Sequence, residues 1–186
     1  SIVEAFTQGK QLIIIGEEFD SGFNTFLQPF VEHRHALNHI IRGKAAELGL
    51  DDPKRDTEYQ RRHLEKALGH LHRAFFDAAD WFSIIMRERI IDLLSPYSSG
   101  VIAETIPLYY SETRPKIDSI SRSIAKVRDA KDVALYPSNQ ITTYVNALNE
   151  LLDIYNHLEQ AIPELAAKKE QKRFKFFRKN RINSEK

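Results

Sequence analysis

With 186 residues, 42% of them hydrophobic and 28% charged, the chain is long enough to bury one core of ordinary size and too apolar to be a disordered tract. It contains no cysteine, which excludes disulfides and thiolate chemistry and leaves any metal to His and carboxylate ligands. The net charge of +1 hides an asymmetry: from Lys168 onward nine Lys or Arg stand against two Glu, so a mildly acidic body carries a strongly basic end.

In chain order, the apolar rhythm predicts a first helix from about Ile2 to Phe19, closed by the turn cluster Asp20-Ser21-Gly22. Its greasy block Leu12-Ile13-Ile14-Ile15 runs into Glu17-Glu18, far short of the ~18 to 20 apolar residues of a membrane-spanning helix. With no secretory leader evident, a cytoplasmic protein without a transmembrane segment is expected. The second helix takes Phe23 to about Leu48, with Phe23, Leu27, Phe30, Leu37, Ile41 and Leu48 as its inward stripe and Gly49 as its stop. Asp52 and Pro53 read as N-cap and first turn of a third helix reaching about Leu94. That helix carries the stripe Leu64, Leu68, Leu71, Phe75, Ala78, Phe82 and Ile85, stepping to Met86 and Ile90, beside a second band of Ala67, Ala74 and Trp81. A stripe this wide predicts the central helix of a bundle, or one that also meets a partner chain, hence a homodimer.

The fourth helix, about Val101 to Val133, holds Pro107 and Pro115 and is expected to kink between them. Leu135-Tyr136-Pro137-Ser138 is a turn. The last helix follows on Ile141, Tyr144, Leu148, Leu151, Tyr155, Leu158 and Ile162, with Pro163 bending or restarting it. The expected fold is therefore all-α, a mainly antiparallel up-and-down bundle of about five long helices with a kinked fourth. Residues 1–167 form its single domain and 168–186 a basic C-terminal tail, partly disordered unless something docks it.

Function concentrates in Arg34-His35-Ala36-Leu37-Asn38-His39 on the second helix. Arg34 falls in the middle of the apolar stripe, where an unpartnered guanidinium is costly, so it either pairs with an acid such as Asp77 or Glu65 or lines a cleft that an anion enters. Arg grips phosphate through two parallel hydrogen bonds and His moves protons near neutral pH. On one helix, residues five apart point about 140° from each other, so two copies across a dimer converge more easily than one.

This hexapeptide in a helical hairpin resembles the HEPN superfamily, whose members carry an Arg-x4-His motif with a polar residue after the Arg. The resemblance implies a metal-independent endoribonuclease that dimerises so that two motifs form one cleft, of a kind found in toxin–antitoxin and antiviral systems. Arg34 and His39 would then be the catalytic pair, His35 the supporting polar residue, RNA the substrate and an antitoxin a partner. No cofactor is implied.

Two further patterns bear on binding. Leu37-Asn38-His39-Ile40-Ile41-Arg42 and Leu68-Gly69-His70-Leu71-His72-Arg73 share Leu-x-His-(Ile/Leu)-x-Arg, and if their helices are antiparallel neighbours, Asn38, Arg42, His70 and Arg73 join His39 along one groove. The basic end interleaves Lys172, Arg173 and Arg178 with Phe174, Phe176 and Phe177, a mix that grips phosphates and stacks bases, or else a helix end whose Phe174 and Phe177 pack on the bundle. Glu32-His33-Arg34-His35 contains a Glu-x-x-His, but no second copy stands on another helix as a di-iron bundle needs, so no metal is expected. The alternative to the enzyme is a non-enzymatic helical adaptor that binds a partner through the polar patch and basic tail.

Overall fold

The computed structural model describes residues 1–20, 22, 26–50, 56–129 and 138–184. They form seven helices: α1 (Ile2–Phe19), α2 (Leu27–Glu47), α3 (Thr57–Leu94), α4 (Ser99–Thr105), α5 (Arg114–Asp129), α6 (Ser138–Gln160) and α7 (Ile162–Ser184), with a π-helical turn over Tyr109–Thr113 before α5. No strand occurs among the described residues, and the fold is all-α.

Local chemistry explains the boundaries. Ser1 and Glu4 form a capping box at the start of α1, satisfying backbone donors that a helix start leaves open. Gly49, at φ 66°, ends α2: its N–H reaches the Ala46 carbonyl at 3.1 Å and that of Leu50 reaches Ala45 at 2.9 Å, a geometry only glycine adopts without strain. Asp56 caps α3 by accepting from the Tyr59 N–H at 2.9 Å. The expected Asp52-Pro53 start and the Phe23 start of the second helix lie outside the described residues. Seven helices stand where about five were expected because prolines divide two of them. Pro107 falls in the break after α4, Pro115 is the second residue of α5, directly after the π-helical turn, and Pro163 occupies the first turn of α7, where a missing N–H costs little. The basic stretch from Lys168 is part of α7, whose backbone is helical to Ser184.

The long α3 touches α1, α2, α5 and α6. Its second half lies in the larger core, where Phe75, Phe76, Phe82, Met86 and Ile90 meet Tyr144, Leu151, Leu158 and Leu165. Its first half sits on a much smaller one, built from Ala5, Ala36, Ala67 and Leu71. There α2 runs opposite to α3, with Glu32 beside His70 and His39 beside His63, and α1 runs along α3, with Gly9 against Phe75 and Gly16 against Trp81.

One expectation is overturned here. The α2 stripe faces outward: Leu27 is 68% exposed, Leu37 55% and Ile41 57%, while Pro29, Glu32, Ala36 and Gly43 are buried. The reason is the closeness of α2 to α3. A Cβ added to Gly43 would lie 3.7 Å from the Gln60 carbonyl oxygen and from the His63 Cβ, so small residues face inward and the large ones have room only outside.

Candidate functional site: a histidine seam between α2 and α3

Because its stripe faces outward, Arg34 is an exposed residue and not a core guanidinium. Among the described residues Arg34 is paired with neither expected acid: Glu65 is ion-paired with Arg61, and the Arg34 guanidinium lies 3.4 Å from Nε2 of the adjacent His35. The residue α2 does bury is Glu32, two positions earlier and 9% exposed.

Glu32 organises the seam. Its Oε2 accepts from Arg73 Nε at 3.0 Å and lies 2.7 Å from His70 Nδ1. The same Nδ1 is 2.7 Å from a terminal nitrogen of Arg73. One ring nitrogen cannot serve both neighbours in one state: bare, it accepts from Arg73, and protonated, it donates to Glu32. Burial works to raise the Glu32 pKa, but the hydrogen bonds from His70 and Arg73, helped by their charge, outweigh it and hold the carboxyl below its usual range.

From this anchor a file of imidazoles runs along the interface. His35 meets the His70 ring edge-on at 5.2 Å between centroids. His70 stacks on His39 at 5.3 Å with 20° between planes. His39 Nδ1 then lies 2.8 Å from His63 Nδ1, and Tyr59 packs on His63 at 4.3 Å. A 2.8 Å contact between two ring nitrogens requires one to donate and the other to accept, so the pair resists carrying two protons. The His39 pKa is accordingly lowered, by burial first and then by His63, His70, Lys66 and Arg42. On the other side of α2, His33 is lowered by burial and packs against Phe6 at 5.1 Å.

The structure thus brings together His35, His39, His70 and Arg73 from the sequence reading and adds Glu32, His63 and Tyr59 to them. Asn38 and Arg42 lie on exposed positions of α2. Lys172, Arg173 and Arg178 are not at the seam, since α7 packs on α4 and α6. Lys172 is bound to Glu104 at 2.9 Å and Arg173 lies 3.9 Å from Glu170, while Arg178 is exposed. Phe174 is 71% exposed, which overturns its packing on the bundle, and the Phe177 side chain lies outside what is described. His63 was missed although a signal existed: it precedes His70 by seven residues, two turns of one helix face.

Glu32, His35 and His70 also present potential metal-ligand atoms within 4.8 Å of one another. That chemistry fits a divalent cation poorly. Arg73 already neutralises the Glu32 carboxylate and Arg34 bonds the His35 ring, so a metal would have to displace or sit beside two guanidiniums.

Compared with known proteins, the chain matches no family model, no curated protein and no solved structure.

Proposed function

We propose that this chain is an RNA-binding protein that cleaves RNA without a metal, using Arg34 and the histidine seam around His39 in a dimer cleft. The observation that carries the reading is the unbroken file His35, His70, His39, His63, bordered by Arg34, Arg42, Lys66 and Arg73 and holding a single buried carboxylate. In the reaction the ribose 2′-oxygen attacks phosphorus, a neutral imidazole takes its proton and the bond to the 5′-oxygen breaks as a protonated imidazole supplies that oxygen with a proton. The products are a 2′,3′-cyclic phosphate and a 5′-hydroxyl. A guanidinium stabilises the charge developing on the phosphorane. The lowered His39 pKa supports a base that is neutral at pH 7.

A dimer is supported by the outward stripe of α2. Leu27, Phe30, Arg34, Leu37 and Ile41 recur at spacings of three and four, the rhythm of a seam between two packed helices. A second copy laid along it would bring two Arg34 side chains together. The adaptor reading rests on the same surface, where Val3, Phe6, Leu37 and Ile40 help to line an apolar groove of about 480 Å³ suited to a partner protein such as an antitoxin.

The test is RNA incubated with the full chain in EDTA, with product ends analysed. Cyclic phosphate ends that fall at least tenfold in Arg34→Ala and His39→Ala support the enzyme; undiminished cleavage in His39→Ala overturns it. RNA retention without cleavage, with Leu37→Glu abolishing self-association, leaves the adaptor.

A further inference from the structure

The geometry points to a second site, independent of the histidine seam: an organic-phosphate pocket between the C-terminal half of α3 and the start of α5. It lies about 30 Å from His70, taking 1.5 Å per residue along α3 as far as Ile90. A groove of about 700 Å³ opens there, inside the size range of small-molecule sites.

Its walls are of two kinds. Ile90, Ile91, Leu94 and Ile117 are its apolar lining, and Arg87, Arg114 and Arg122 line it with three arginines from both helices. Arg87 donates from Nε to the Ser83 carbonyl at 3.0 Å, which fixes its fork against α3. None of the three is paired with a carboxylate among the described side chains, although Asp118 lines the same groove. Three cations against one acid give the pocket a surplus of about two positive charges, the complement of a phosphomonoester at neutral pH.

The chain's path into α5 places two of these arginines along the groove. The chain passes through a π-helical turn at Tyr109–Thr113 immediately before Arg114, and such turns shift the register of the helix that follows. Tyr109, half-buried, ends up in the groove. Burial pushes its pKa up, against the pull of Arg114, so its hydroxyl remains a hydrogen-bond donor across the physiological range. Ser95 and Ser121 also line the groove, their hydroxyls donating to the Asp92 and Ile117 carbonyls.

A bare inorganic anion would use the arginines and waste the apolar side. The ligand class that uses both is a phosphate ester with an apolar or planar body, either a nucleoside monophosphate or an alkyl phosphate. Calorimetric titration of the full chain with AMP, dodecyl phosphate below its micellar concentration and inorganic phosphate separates these sources. At least one ester is expected to bind saturably and at least tenfold more tightly than inorganic phosphate. Arg114→Gln/Arg122→Gln, both exposed in the fold, is expected to weaken that ester at least tenfold with its circular dichroism unchanged. Ile91→Ser, also at an exposed position, is expected to weaken it about three- to tenfold while leaving inorganic phosphate unaffected. Absence of saturable binding, equal affinity for inorganic phosphate, or binding within twofold of wild type in the double variant overturns the proposal. RNA cleavage in EDTA is read separately, so failure at either site is seen without the other.

Discussion

The two halves of α3 are built differently. From Phe75 to Leu94 the helix is wrapped in large apolar side chains, and Tyr144, fully buried, still finds a partner by donating to Asp80 at 2.8 Å. From Thr57 to His72 the facing helix offers Ala36 and Gly43, and the space between holds Glu32, His39, His63 and His70. A thin apolar core leaves room for titratable groups, and small residues let helices approach closely enough for those groups to interlock. Large buried apolar side chains are thus concentrated along one half and the interlocked histidines along the other.

The sharpest way to break this contrast is to empty the thick core. Phe76→Ala, at a position 1% exposed, is expected to cost about 3–5 kcal/mol in urea unfolding; a loss under ~1 kcal/mol would mean that the aromatic cluster is not where stability resides. A middle-sized effect is expected at the seam. Glu32→Gln removes the charge that holds His70 and Arg73, and should cost about 1–3 kcal/mol, tempered because Arg73 is partly exposed. A Glu32→Gln/Arg73→Gln cycle should show coupling between them, whereas simple additivity would deny the network.

The smallest expected effect is with pH. His39 has a folded-state pKa below its unfolded value near 6.5. Below that value the unfolded chain binds the proton more readily, so stability falls as pH drops through about 6.5 and levels off once pH is below the folded value. Glu32, also lowered in the fold, has the same sign in a more acidic window. Its stabilisation is present above the unfolded carboxyl value near 4.3 and is lost as pH falls toward its lower folded value. Unfolding measured from pH 7.5 to 5 should show the first decline, flattened in His39→Gln; an unchanged slope in that variant would remove His39 as its source.

Much of the fold was legible. The bounds of α1, the stop at Gly49 and the break near Pro107 follow from capping chemistry and proline geometry, which act within one turn. The inward face of α2 was not legible, because Leu27, Phe30, Leu37 and Ile41 make a better apolar stripe than Pro29, Ala36 and Gly43. Hydrophobicity ranks side chains one helix at a time and contains no measure of how near the neighbouring helix comes. The same blindness placed Arg34 inside and left Glu32 and His63 out of the seam. The repeat shared by residues 37–42 and 68–73 did point to His39 and His70, which the fold stacks.

The sequence alone settled where α1 begins and ends, that α2 stops by Gly49 and that the chain breaks at Pro107, since caps and breakers are local free energies. Only the tertiary structure decided which face each helix buries, and hence that an acid, Arg73 and a file of imidazoles meet between α2 and α3. Burial depends on the distance between helices, which the summed packing of the whole molecule sets and no single segment contains.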